Sequence, residues 1–174
     1  MEEESRYHLF DPDVSTYPEL SSVYRYWQDK RGERFAPSWA DINLLDIPSA
    51  IIPRICVVNV SADKGDFTYR FWGTTITDMH HYDLSGKSVH HLKPARYAKN
   101  IFRQYQTVLD IKRSQGFLTE MPLESGMFTY YATIRMPLSS DGENINMIMC
   151  AEDYGESRDQ LRKVFEEVVH NPSV

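Results

Sequence analysis

The chain has 174 residues and a mass of 20.3 kDa, the size of one ordinary domain with a single core. Nineteen Lys and Arg against 25 Asp and Glu leave a formal charge of −6 and a pI near 5.5, which argues against sequence-independent nucleic-acid binding and against a polybasic membrane-surface role. Apolar residues at 41% and aromatics at 13% exclude a disordered polypeptide, and two cysteines are too few for a disulfide framework.

The chain begins Met1-Glu2-Glu3-Glu4-Ser5, acidic where a secretory leader is basic, and no apolar run reaches the roughly 18 residues of a membrane helix. These features place the protein in the cytoplasm, with neither nucleic acid nor membrane as partner. Residues 1–17 carry Asp11-Pro12-Asp13 and no clear period, so they read as a lead-in arm. The first firm element is a helix over Pro18–Arg31: Thr16 and Glu19 have capping-box spacing, Leu20, Val23, Tyr24 and Trp27 form an apolar stripe, and Gly32 closes it. A second, short helix follows Pro37, where Ser38 and Asp41 repeat the capping-box spacing before Ile42 and Leu45.

The period then changes. Ile51–Val60 and Phe67–Trp72 read as two strands joined by the polar turn Ser61–Asp66, and Gly73 ends the second. Thr74–His81 is predicted as a short helix and Pro94–Asp110 as a longer one, with Tyr97, Ile101, Tyr105 and Val108 on its buried stripe. Strands follow at about 115–123, 128–138 and 145–153, the last two joined by a turn containing Asp141-Gly142, and a final helix at about 157–170 carries Leu161, Val164, Phe165 and Val168 on one face. The order predicts one α+β domain over 1–174, with N-terminal helices at 18–49, a core at 50–153 and a closing helix. The first and last core strands are apolar on both alternating faces, Ile55 and Val57 against Cys56 and Val58, Met147 and Met149 against Ile148 and Cys150. Such strands belong inside a sheet covered on both sides, one face by the crossover helices and the other by the terminal ones.

This order, with Tyr26-Trp27 through Lys30-Arg31-Gly32, Pro37-Ser38 with Ala40-Asp41, Asp46-Ile47-Pro48, Tyr69-Arg70-Phe71-Trp72-Gly73-Thr74 with Ile76, Asp83-Leu84-Ser85-Gly86-Lys87 and Met136-Pro137-Leu138 before Asp141-Gly142, resembles the single-domain PAS proteins common in alphaproteobacteria. The motifs span about residues 20–150. The resemblance implies a five-stranded antiparallel sheet of order 2-1-5-4-3 with helices over one face, a cavity for small molecules or cofactors between them, and dimerisation through helices flanking the core. Interior places for strands 1 and 5 agree with their two-sided apolar pattern.

His80-His81 and His90-His91 are the most conspicuous chemistry, but they lack metal-ligand spacing and have no cysteine nearby in sequence; they read as loop and helix-end histidines, with a metal or haem site as the alternative. Arg70, mid-strand, reads either as an anchor for an anionic ligand or as a structural ion pair with Asp78 or Glu152. Cys56 and Cys150, on strands that the resemblance makes neighbours, read as small core residues, with a redox pair as the alternative. The helical Asn-Cys-Arg-type segment of flavin-binding photoactive PAS proteins and the Cys-x-x-Cys-His of covalent haem are both missing, so no cofactor is identified.

Met127, Met136, Met147 and Met149 could line an adaptable pocket or fill core, and Arg70, Trp72, Tyr105, Met136 and Met149 are the expected ligand-contacting residues. Leu20, Val23, Tyr24, Trp27, Leu161, Phe165 and Val168 are the expected helix surface for a dimer or a protein partner. No phosphate loop, nucleophile elbow, zinc-protease motif or kinase module is present, and no catalytic or metal residue is assigned. The expected function is a stand-alone sensory or regulatory module with no output domain, acting through a small ligand or association. The alternatives are a structural interaction domain with a self-filled cavity, and a small-molecule enzyme.

Overall fold

The computed structural model describes residues 6–13, 16–156 and 158–170. Within them one antiparallel sheet of six strands runs β1 (Tyr7–Phe10), β4 (Gln115–Pro122), β5 (Phe128–Leu138), β6 (Met147–Asp153), β2 (Ile55–Val60) and β3 (Phe67–Trp72) from edge to edge. The expected order of five strands is present, with a sixth added. Part of the expected arm is that strand: Tyr7, His8, Leu9 and Phe10 pair with Thr119, Leu118, Phe117 and Gly116. The close approach at Gly116 is what admits it, since a Cβ there would lie 2.5 Å from the Phe10 ring.

The described residues also form four α-helices: α1 (Pro18–Arg31), α2 (Thr74–His80), α3 (Ala95–Ile111) and α4 (Arg158–His170). Pro18 occupies the first turn of α1, as its fixed φ and missing N–H allow. The Thr16–Glu19 capping box does not form; Tyr17 is the N-cap without a side-chain bond, and the Glu19 carboxylate instead pairs with Arg54. The second capping box does form, with the Ser38 amide and hydroxyl both donating to Asp41 Oδ2 at 2.8 Å, but it starts one 3₁₀ turn, Trp39–Asp41, rather than an α-helix. Those hydrogen bonds hold the Asp41 pKa below its ordinary value.

The two faces of the sheet carry separate apolar clusters, as the strand patterning requires. On one face α2, α3 and the loops between them cover Cys56, Val58, Phe67, Tyr69, Phe117, Tyr131, Ile148 and Cys150. On the other, α1 and α4 cover Ile55, Val57, Leu118, Ala132, Ile134, Met136, Met149 and Ala151. Trp27 ties α1 to the centre of the sheet by donating its Nε1–H to the Pro137 carbonyl at 2.9 Å. The apolar stripes expected to meet a partner are spent here: Leu20, Val23, Trp27, Leu161 and Phe165 are buried against the chain's own sheet, and Tyr24 and Val168 are half-buried.

Candidate functional site

The first face of the sheet and the helices above it enclose a small chamber lined by Cys56, Tyr69, Trp72, His80, Tyr97, Tyr105, Tyr131, Arg135 and Glu152 among others. Its free volume is about 10 Å³, room for one water. The side chains themselves fill the space that a ligand of ordinary size would need.

Arg135 is the central group. It lies in the middle of β5, is 1% exposed, and is held by chemistry suited to a guanidinium. Nε–H donates to Gln104 Oε1 at 3.0 Å, Nη1–H donates to Cys150 Sγ at 3.2 Å, and the plane lies 4.4 Å from the Tyr105 ring centroid. Gln104 in turn donates to Thr119 Oγ1 at 3.0 Å and to Asn100 Oδ1 at 3.3 Å, so α3 is tied to β4 by polar contacts inside an apolar layer. Among the described residues no carboxylate lies within ion-pair distance of Arg135; Glu152, buried in the same chamber, takes the Tyr154 hydroxyl instead. Burial raises the Glu152 pKa, against the pull of the Tyr154 hydrogen bond and the Arg135 charge.

The tyrosines are poised as hydrogen-bonding neutrals. Tyr97 and Tyr131 share a 2.7 Å hydroxyl contact, and burial pushes both phenols, with Tyr69 and Tyr105, above their ordinary pKa. Cys56 and Cys150 face each other across β2 and β6 as register partners, both as free thiols. Burial works to raise Cys150, but the hydrogen bond from Cys56 and the Arg135 charge bring it below the ordinary cysteine value; the same hydrogen bond, with burial, pushes Cys56 up.

A larger space adjoins the chamber. A cleft of about 690 Å³ opens between α2, the start of α3 and the β4–β5 hairpin, lined by Met79, Tyr82, Met121 and Leu123, with Lys93, Arg96 and one carboxylate, Glu124, as its charged groups. His80 lines both spaces. Its ring sits 5.4 Å from Trp72, 5.5 Å from Tyr82 and 5.8 Å from Tyr97, and burial, helped by the neighbouring His81, lowers its pKa to about 4. Behind it the Trp72 Nε1–H is shielded and has no acceptor among the described residues.

Of the five expected ligand contacts, Trp72 and Tyr105 reach the chamber. Met136 and Met149 are register partners on the opposite face, under α1 and α4. Arg70 neither enters the chamber nor pairs with Asp78 or Glu152; it is exposed, with its guanidinium 5.9 Å from the Trp39 ring. The cause is a β-bulge: Val57 pairs with Phe71 and Val58 with Tyr69, leaving Arg70 as the unpaired extra residue. The residues missed are Arg135, Tyr97, Tyr131 and Glu152. Arg135 carried the same signal as Arg70, a lone charge in an apolar strand.

The four histidines do not converge, since His90 stacks on Phe102 and His91 bonds the Ser88 carbonyl. Among the described residues no three His, Cys, Asp or Glu side chains are placed to share a metal ion.

A family model described as "PAS domain" matches residues 16–150. No curated protein matches the sequence. Among solved structures, the chain is similar to an RNA-binding light-oxygen-voltage receptor, with TM-score 0.55 and 10% identity over 95% of this chain and 43% of that one. It is also similar to a light-oxygen-voltage domain studied with a flavin analogue, with TM-score 0.50 and 8% identity over 90% of this chain and 97% of that one. The PAS domain of BvgS from Bordetella pertussis gives TM-score 0.50 and 10% identity, covering 86% of this chain and 98% of that domain. At these identities the likeness is one of fold.

A flavin does not fit the chamber of this chain. Sites for molecules of that size run to roughly 300 Å³ or more, and here Trp72, Tyr97, Tyr105 and Arg135 fill the space down to about 10 Å³. The two cysteines also lie on strands, not on a helix facing the chamber.

Proposed function

The chain belongs to the PAS domain family, and on that premise we propose that it is a cytoplasmic sensory module that reads a small amphipathic anion in the cleft beside α2 and passes the result on by association with a protein partner or a second copy. The observation that carries this reading is the position of His80. It separates a cleft of about 690 Å³ from a closed polar chamber whose Trp72 Nε1–H lacks an acceptor among the described residues. A ligand with an apolar body covers Met79, Tyr82, Met121 and Leu123, while its anionic end meets Lys93 and Arg96. Displacing His80 gives the ligand access to Trp72, and moving the end of α2 is the change a partner detects. The role is sensory rather than enzymatic.

Decanoate is a suitable probe. Its addition raises the melting temperature of the protein, and Arg96→Glu abolishes the increase. Native mass spectrometry of freshly purified protein reports any retained ligand and the subunit count. No shift with decanoate and no retained mass would refute the reading. The small chamber volume then favours the second reading, an interaction domain whose cavity is filled by its own side chains.

A further inference from the structure

A second cleft, of about 640 Å³, lies on the other side of the molecule, between the end of β1, the second half of α1 and the junction of α3 with β4. One wall is aromatic. Phe10, Tyr24 and Phe35 are half-buried there, and the Tyr24 ring is nearly parallel to that of Trp27, 13° apart in plane with centroids separated by 5.9 Å.

The other contributors are cationic. Arg31, Lys112 and Arg113 line the same space against one carboxylate, Asp11, in a chain whose net charge is −6. Two of the cations are anchored on the rings: the Arg31 guanidinium is 5.6 Å from the Trp27 ring and the Lys112 ammonium 5.9 Å from that of Phe35. Arg31 donates to the Arg34 carbonyl at 2.8 Å and Lys112 to that of Glu143 at 3.0 Å. Among the described residues, none of the three has a carboxylate within 4.0 Å.

The decisive group is Ser114, at the α3–β4 junction. The residue is 8% exposed and lines the cleft, and its Oγ, shielded from solvent, has no hydrogen-bond partner among the described residues. A buried hydroxyl without a partner costs free energy that a bound acceptor would restore.

We infer that this cleft binds a small aromatic anion, its ring against Tyr24, Phe10 and Phe35 and its carboxylate or sulfonate between Arg31 and Arg113, where it accepts from Ser114 Oγ once that hydroxyl turns about its χ1 toward the cleft. A neutral aromatic leaves the cations uncompensated, and an inorganic anion leaves the rings uncovered. The site is independent of the cleft beside α2: the two share no lining residue and lie at opposite ends of α3 and β4.

The test uses the full chain and 1-anilinonaphthalene-8-sulfonate, whose fluorescence rises on binding. Wild type gives a saturable single-site titration. Arg113→Glu, at an exposed position with no bonded partner among the described residues, weakens affinity at least about tenfold by replacing an attraction with a repulsion. Ser114→Ala weakens it several-fold, while Arg96→Glu, in the other cleft, leaves it unchanged. The uncharged N-phenyl-1-naphthylamine binds at least about tenfold more weakly than the sulfonate. Circular dichroism and melting confirm that each variant is folded. Equal sulfonate affinity in wild type and Arg113→Glu, a loss in Arg96→Glu instead, or equal binding of the uncharged dye would overturn the inference. The decanoate response of Arg113→Glu is expected to match wild type, which separates this site from the proposed sensory one.

Discussion

Acidification from pH 7 to pH 5 should destabilise the protein through His80, and the amount follows from where the ring sits. His80 ends α2 among Trp72, Tyr82 and Tyr97, with burial as the main reason its pKa falls from 6.5 to about 4. The folded state thus holds the ring neutral, while the unfolded chain takes up a proton near pH 6.5. Stability from this group is fully present above that pH and declines as pH falls toward the folded pKa. Integrating proton uptake between pH 7 and 5 gives a loss of about 2 kcal/mol. Other groups act on the same curve. Glu152, with its raised pKa, opposes the loss, whereas Asp41 and Asp141, with pKa values lowered from 3.8, give up their contribution only as pH falls through that value, below this window. Comparison with His80→Asn cancels these contributions. Urea unfolding of both proteins at pH 7, 6 and 5, followed by circular dichroism, should show their stability difference shrinking by about 2 kcal/mol toward pH 5. A difference constant within about 0.5 kcal/mol would refute the claim that burial of a neutral His80 sets this response.

Two substitutions test the frame around the chamber. Gly73→Ala should destabilise by about 3 kcal/mol or more or prevent folding, because the new Cβ would lie 2.1 Å from the Pro53 carbonyl oxygen and 2.8 Å from that of Ile55, backbone atoms that cannot swing aside; a melting temperature near wild type would show that Gly73 does not approach the Pro53 and Ile55 backbone this closely. Replacing Arg135 separates packing from charge. Arg135→Ala should cost about 3–5 kcal/mol, since it opens a cavity and leaves the Gln104 carbonyl without its donor, whereas Arg135→Met, which fills the volume and leaves only that carbonyl unpaired, should cost about 1–3 kcal/mol. Equal losses in urea unfolding would mean that the charge, not the volume, is what the core requires.

The elements legible in the sequence were those with local causes. The α1 stripe, the closing Gly32 at φ 56°, and the Asp141-Gly142 turn, where Gly142 has φ 77° and Asp141 accepts the Glu143 and Asn144 amides, all lie within a few residues of their signal. β1 had no such signal. Four half-buried or exposed residues show no usable period, and they form a strand because β4 presents a free edge with Gly116 opposite Phe10. Nor could Thr16–Glu19 spacing reveal that Glu19 would be drawn to Arg54, 35 residues away.

Two of the five expected contacts, Met136 and Met149, differ by one residue of strand parity from the chamber-lining Arg135 and its register partner Cys150. Alternation separates Met136 from Arg135 and Met149 from Cys150, but it does not say which set faces the crossover helices. Apolar Met suits an adaptable pocket by composition, and nothing local in the sequence marks Arg135 as the chamber-side residue instead. In the structure the cavity side is the polar one: Arg135 and Cys150 are register partners beneath Tyr105, while Met136 and Met149 complete the layer under α1 and α4. Arg70 misled for the complementary reason. Its strand bulges at that point, so the charge that a regular β3 would have had to bury is turned out to solvent. The two arginines look alike in sequence, and the difference between them is set by hydrogen-bond register with neighbouring strands. A closed chamber built around an arginine leaves little that can move, which is why the one side chain shared with an open cleft, His80, carries the sensory proposal.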